Sequence, residues 1–249
     1  MSRNRNYYDY LQKASFYDLL ANYYKYTNPN NHIAYYQKHL QYMNMAVQSR
    51  QNGQSQMGIG RVRFVHASTD ASNVDIYIDG IRILQNFSYK EGSKYLSIPA
   101  GRHQVDIYPA GNMVSTVLSR KIDIKPGKHY SLIPVGSVMS LKWLALEDDP
   151  RVPSGGTKVR FIHLTPDAPA VDIALKNREV LFPNLSYRKF TNYLELSPMI
   201  VDFEARVTGS SNVALQIPQV HLKPNLVTSI IIIGLAAGEP EMEAIILTN

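Results

Sequence analysis

Cysteine is absent from the 249-residue chain, which removes disulfides, thiolate metal sites and cysteine nucleophiles together. Long apolar runs are missing too. The longest, SIIIIGLAA from Ser229 to Ala237, is about half of what a bilayer-crossing helix needs. The basic start, MSRNRNYYDYLQKASFYDLL, is followed by no apolar h-region or small-residue cleavage site, so a conventional secretory signal is not visible. Acidic residues are scarce at one end only: residues 1 to 57 hold six Lys/Arg against two Asp/Glu, and the remainder holds twenty against eighteen. The net charge of +6 is therefore mostly a property of the N-terminal segment, and it lacks the dense Lys/Arg clustering of a nucleic-acid face. No nucleophile elbow G-x-S-x-G, H-E-x-x-H, P-loop or G-x-G-x-x-G occurs, and GIG at Gly58 to Gly60 precedes a strand pattern rather than a helix. What is left, with 45% hydrophobic and 18% charged residues, is the composition of a folded globular protein.

The chain reads as five stretches: a helical hairpin over 1–51, a flexible Gly/Gln/Ser linker over 52–60, a repeat over 61–149, a linker over 150–157 and a second repeat over 158–249. In the first stretch, Tyr10, Ala14, Tyr17, Ala21 and Tyr24 recur at alternating steps of four and three. Ile33, Tyr36, Leu40, Met43 and Val47 do the same, so each set forms a stripe along one helical face. Asn28 is placed to cap the second helix, with Pro29 in its first turn. Ten of the seventeen tyrosines lie here, and a ring with a polar tip suits a surface that is dry on one side and wet on the other. Tyr10, Tyr17, Tyr24, Tyr36 and Tyr42 are the candidate docking residues, either for self-association and protein partners or for covering the rest of the same chain.

VRFVHASTDASNVDIY at residues 62 to 77 returns as VRFIHLTPDAPAVDIA at 159 to 174, with nine of sixteen positions identical. The match continues through FSY against LSY and through KPGKHYSLIPVG (Lys125 to Gly136) against KPNLVTSIIIIG (Lys223 to Gly234). A period this long denotes domain duplication rather than a solenoid. Within each copy apolar residues alternate, as in Val74, Ile76 and Ile78 or Val171, Ile173 and Leu175. Turn signals at Asp79–Gly80 and in PAG and KPG triplets complete the cadence of an antiparallel sandwich of about seven strands. The expected fold is mainly β: two tandem immunoglobulin-like antiparallel β-sandwiches preceded by an α-helical hairpin. Lys176 and Asn177 stand where the first copy has Asp79 and Gly80, which predicts a looser hairpin there.

TPDAPAVDI (Thr165 to Ile173), and in degenerate form STDASNVDIYIDG (Ser68 to Gly80), resembles the signature of the domain of unknown function 4397 family, over about 62 to 249. The resemblance implies β-sandwiches of bacterial surface and secreted proteins without established activity. The Tyr-rich basic hairpin resembles, in composition, spore-surface proteins that reach their site without a secretory signal.

The duplicated polar set is His66, Asp70 and Asp75, matched by His163, Asp167 and Asp172. Imidazole and carboxylate could hold a divalent ion or move protons. Alternation nevertheless puts His66 on the face of Val62 and Phe64 and turns Asp75 away from that of Val74 and Ile76. Asp70 and Asp167 sit in loops where an Asp side chain commonly accepts backbone N–H bonds. The set is read as loop bracing, with no catalytic residue, metal or cofactor. Trp143, the single tryptophan, is read as core packing. The function expected is that of a non-enzymatic structural or interaction protein of a bacterial cell or spore surface (coat or exosporium), made in the cytoplasm of the mother cell. The alternative is a module binding carbohydrate or cell-wall polymer through loops 68–73 and 165–170.

Overall fold

The computed structural model describes residues 3–249, with side chains for 7–49 and 58–249. The chain divides into a helical unit that runs to Ile59 and takes in Pro99–Gly101, and a β unit made of Gly60–Ile98 and Arg102–Asn249.

The helical unit pairs α1 (Arg3–Tyr24) with α2 (Pro29–Met57). Asn28 adopts an extended conformation and its side chain accepts from the Asn31 N–H at 3.2 Å, with Pro29 at the first helical position. Ala14 and Ala21 of α1 and Ala46 of α2 are buried, and such small side chains let the backbones approach closely. Two imidazoles stitch the seam: His32 Nδ1 donates to the Ala21 carbonyl at 2.9 Å and His39 Nδ1 to that of Ala14 at 3.0 Å. Beside it runs a stack of rings, Tyr10 on Tyr42, Tyr42 on Tyr17, Tyr17 on Tyr35 and Tyr35 on Tyr24, with centroids 5.4 to 6.4 Å apart.

The predicted α1 stripe is thus the one that meets α2. On α2, His32, Tyr35, His39, Tyr42 and Ala46 face the seam, while Ile33, Tyr36, Leu40, Met43 and Val47, one position round, are exposed. Flat rings and hydrogen-bonded imidazoles fit a seam built on alanine better than branched aliphatics do. The linker expected over 52–60 is likewise corrected, since α2 continues to Met57 and strand begins at Ile59. Gln, Ser and Met propagate an existing helix readily, and a single interior glycine such as Gly53 costs only about 1 kcal/mol. Among the described residues no helix is long and apolar enough to cross a membrane.

The β unit holds sixteen strands. The first sandwich comprises β1 (Ile59–Phe64), β2 (Val74–Ile78), β3 (Ile81–Phe87), β4 (Leu96–Pro99), β5 (Gly101–Pro109), β6 (Leu118–Ile124), β7 (His129–Val135) and β8 (Lys142–Asp148). The second comprises β9 (Thr157–His163), β10 (Val171–Leu175), β11 (Val180–Leu185), β12 (Leu194–Leu196), β13 (Met199–Val207), β14 (Val213–Leu222), β15 (Val227–Ile233) and β16 (Glu243–Thr248). Sheet orders are β4-β1-β7-β8 and β3-β2-β5-β6 in the first, and β12-β9-β15-β16 and β11-β10-β13-β14 in the second. The fold is mainly β, with antiparallel-rich sheets in two sandwich-like pairs that follow the two helices in the chain. Each sandwich also contains one parallel pair, β1 with β7 and β9 with β15.

Asp79 and Gly80 both have positive φ, 50° and 79°, as a two-residue hairpin turn between right-twisted strands requires. Where Lys176 and Asn177 replace them, the β10–β11 connection lengthens to residues 176–179. Each sandwich has its own core, around Phe64, Ile76, Ile107 and Leu132 in the first and Phe161, Ile173, Phe203 and Ile230 in the second. A third apolar cluster joins them: Val65, Ala67, Ile133, Val135 and Leu146 pack with their repeat equivalents Ile162, Leu164, Ile231, Ile233 and Leu247. Sheets β4-β1-β7-β8 and β12-β9-β15-β16 are therefore covered on both faces, and β9 and β15 are buried along their entire length.

Candidate functional site

The duplicated histidines sit just past β1 and at the end of β9, under the loops that lead to β2 and β10. His66 and His163 are about 1% and 0% exposed. His66 Nε2 lies 3.3 Å from the Ser72 carbonyl oxygen and His163 Nε2 lies 3.2 Å from that of Pro169, contacts in which the imidazole N–H must donate. His163 Nδ1 in turn accepts from the Thr165 N–H at 3.4 Å, which fixes a neutral ring. Burial holds both imidazoles below the ordinary histidine pKa, against the raising effect of their loop carbonyls.

The carboxylates are spent on the backbone. Asp75 accepts from Asn86 N–H at 2.7 Å, and Asp172 from Asn184 N–H at 2.7 Å, Thr208 Oγ1 at 3.0 Å and Gly209 N–H at 3.2 Å. Asn86 and Asn184 have φ of 52° and 55° and lie where the register of β2 with β3 and of β10 with β11 shifts, so these acids pin a bulge in each copy. Bonds from Asn184, Gly209 and Thr208 hold Asp172 below the usual carboxylate range. Asp70 accepts from Val138 N–H at 3.0 Å and Ser68 Oγ at 3.2 Å, and Asp167 from Ala236 N–H at 2.8 Å and Ala237 N–H at 3.0 Å. Backbone donors from Ala236 and Ala237 depress Asp167. Burial opposes ionisation of Asp70, yet bonds from Ser137, Val138 and Ser68 still hold its pKa low. Asp70 and Asp167 thus tie their loops to the segments that follow β7 and β15. Among the described residues no group of three or more His, Asp and Glu side chains is gathered as a metal would require.

A denser polar site, which the alternation pattern does not reveal, lies between the sandwiches. The carboxylate of Asp148, with no exposed side-chain surface, is bonded by Arg160 Nη2, by Ser131 Oγ at 2.6 Å and by Tyr95 Oη at 2.5 Å. Arg63 reaches Ser131 Oγ at 2.8 Å through Nε, Asn249 Oδ1 at 2.6 Å through Nη1 and Ser229 Oγ at 3.2 Å through Nη2. Arg160 Nε donates to Ser229 Oγ at 3.1 Å. The guanidiniums stack over Tyr95 and Tyr193, 5.0 and 4.9 Å from the ring centroids. Arg63 and Arg160, Ser131 and Ser229, and Tyr95 and Tyr193 are repeat equivalents, so the cluster is built twice around a pseudo-two-fold. Its asymmetry is Asp148 in one half facing Asn249 in the other. Its serine and tyrosine hydroxyls are taken up in bonds to the Asp148 carboxylate and the two guanidiniums or in stacking beside them, an arrangement of charge pairing and shape suited to locking two modules together.

Of the candidate docking residues, Tyr10, Tyr17, Tyr24 and Tyr42 belong to the ring stack along the hairpin seam, and Tyr36 stacks between His32 and His39 on an exposed face. The outward apolar residues are Tyr8, Phe16, Leu19 and Tyr23 of α1 and Ile33, Tyr36, Leu40, Met43 and Val47 of α2.

Fold and site together define a tandem β-sandwich protein with a helical hairpin at its N-terminal end. Residues 60–174, which take in the first sandwich and the first two strands of the second, match the family described as Domain of unknown function (DUF4397). No curated protein matches the chain. Similar solved structures include the Bacillus anthracis TIE protein, at 10% identity and a TM-score of 0.24 over 71% of this chain and 34% of that one. Another is the fimbrial anchor protein Mfa2 from Porphyromonas gingivalis, at 8% identity and a TM-score of 0.21 over 77% of this chain and 97% of that one. This chain thus spans about a third of the Bacillus anthracis protein.

Proposed function

We propose that the protein is a non-enzymatic structural and interaction component of a bacterial surface layer, the spore coat or exosporium, in which the fused sandwiches act as a rigid spacer and the hairpin as the docking element. One observation carries this reading. The duplicated acids and imidazoles are each engaged by their own loops, whereas the hairpin keeps apolar residues outward on both helices. Exposed apolar stripes of this kind mark protein contacts, and Tyr, Phe and Met are the residues that interfaces favour.

Deleting residues 1 to 57 should leave the sandwiches folded and abolish assembly into the layer. Fluorescent fusions of the full and truncated chains, expressed at native level, provide the measurement. A truncated protein that still forms the same shell pattern overturns the assignment of the hairpin.

A further inference from the structure

The two sandwiches part company along their open side, where β6 faces β8 in the first and β14 faces β16 in the second. In the second, Ile217, Val220 and Leu222 of β14 are buried and Ala244 of β16 packs into the same core. Ala244 pairs with Ile232 just as Trp143 pairs with Pro134 in the first copy, so an indole occupies the level at which the second sandwich has a methyl group. Beside it Leu118 and Ile122 are only partly covered, and Arg120 stands exposed on the same strand. A cleft of about 260 Å³ opens there, lined by residues 120–124 of β6, by Tyr130 and Leu132 of β7 and by Trp143 and Ala145 of β8.

Trp143 is 6% exposed and packs edge-on against Phe64, yet its indole Nε1 has no hydrogen-bond partner. A buried donor left unpaired is costly, and Trp143 is one of the residues that line the cleft. β6 and β8 are each the outer strand of their sheet, so two strand edges flank the opening. Arg120 and Lys121 line it against the single acid Asp123, Lys125 and Lys142 lie exposed next to it, and Glu147 is already paired with Lys128 at 2.5 Å.

From these features we infer that the cleft docks an extended acidic peptide segment of a partner protein, laid along β6. Its main chain continues the sheet, an apolar side chain covers Ile122 and Leu132, a carbonyl or carboxylate accepts from Trp143 Nε1, and Asp or Glu side chains meet Arg120 and Lys121. A glycan fits less well, because the floor is aliphatic and the indole is buried against Phe64 instead of being offered as a stacking platform.

The single tryptophan makes the test direct, since its indole N–H gives one resonance. The full-length protein is titrated with a capped heptapeptide alternating glutamate and valine, with a lysine–valine peptide of the same length, and with soluble chitin and glucan oligosaccharides. The indole N–H resonance should shift saturably with the glutamate–valine peptide alone. Arg120→Glu combined with Lys121→Glu should weaken that binding by about tenfold or more while leaving the circular dichroism spectrum unchanged. Ala145→Phe, which fills the cleft at an exposed position, should abolish it. An indole resonance unmoved at millimolar glutamate–valine peptide, an equal response to the lysine peptide, or a response to the oligosaccharides instead would each overturn the inference.

Discussion

Asp148→Ala should be the most damaging single substitution in the β unit, costing about 3–5 kcal/mol and lowering the melting temperature by on the order of 10 °C. Among the described residues Asp148 is the one acid paired with both Arg63 and Arg160, and both guanidiniums are almost wholly buried. Removing it does not simply delete a salt bridge. It leaves two cations in a low-dielectric interface, and strips Ser131 Oγ and Tyr95 Oη of their acceptor. The pseudo-symmetric counterpart provides the control. Asn249→Ala removes a neutral acceptor of Arg63 Nη1 at the edge of the same cluster, and should cost only about 1 kcal/mol. Urea unfolding of both variants checks the pair. Equal losses would mean that charge pairing is not what holds the sandwiches together.

The second large effect is expected in alkali. Burial raises the phenol pKa of Tyr89 to about 12, helped by the Glu243 charge, and burial likewise pushes up Tyr95, Tyr187 and Tyr193, with Asp148 adding to the shift at Tyr95 and Tyr193. A folded-state pKa above the unfolded value of 10 means that the native protein holds its protons longer. The stabilisation is complete below pH 10 and is lost as pH rises through the folded values. Each tyrosine steepens the fall by up to about 1.4 kcal/mol per pH unit, less for the half-buried Tyr89 and Tyr187, where solvent screens the phenolate. Chemical denaturation at fixed urea increments from pH 8 to pH 12 should show a plateau and then a steep decline beginning near pH 10. A flat profile up to pH 12 would show that these rings ionise freely in the folded protein.

Much of the β architecture could be read directly from residue order. Alternation in VDIYID and VDIALK marks strands with one buried face, the Asp79–Gly80 pair marks a hairpin, and the doubled sixteen-residue motif marks the duplication. The interface between the copies was less legible. Arg63 occupies the opposite face of β1 from Val62 and Phe64, where alternation alone predicts solvent, and it is buried only because a second sheet covers that face. A trace of this exists in the sequence: Ile230 to Ile233 do not alternate at all, as expected of a strand buried on both sides, and Arg63 and Ser131 recur as Arg160 and Ser229. The hairpin shows a different limit. Two helical stripes one residue apart on α2 are both regular, and only the ring stacking with α1 and the His32 and His39 bonds decide which turns inward.

The central claim is that the repeated His and Asp residues brace loops and take no part in chemistry. Imidazole ¹⁵N resonances of His66 and His163, followed against pH and against added calcium and zinc, test it most directly. The account predicts the Nε2–H tautomer in both rings, titration below the ordinary histidine value and no response to either ion. Titration near neutrality, or a saturable shift of both rings on adding a divalent cation, would contradict it.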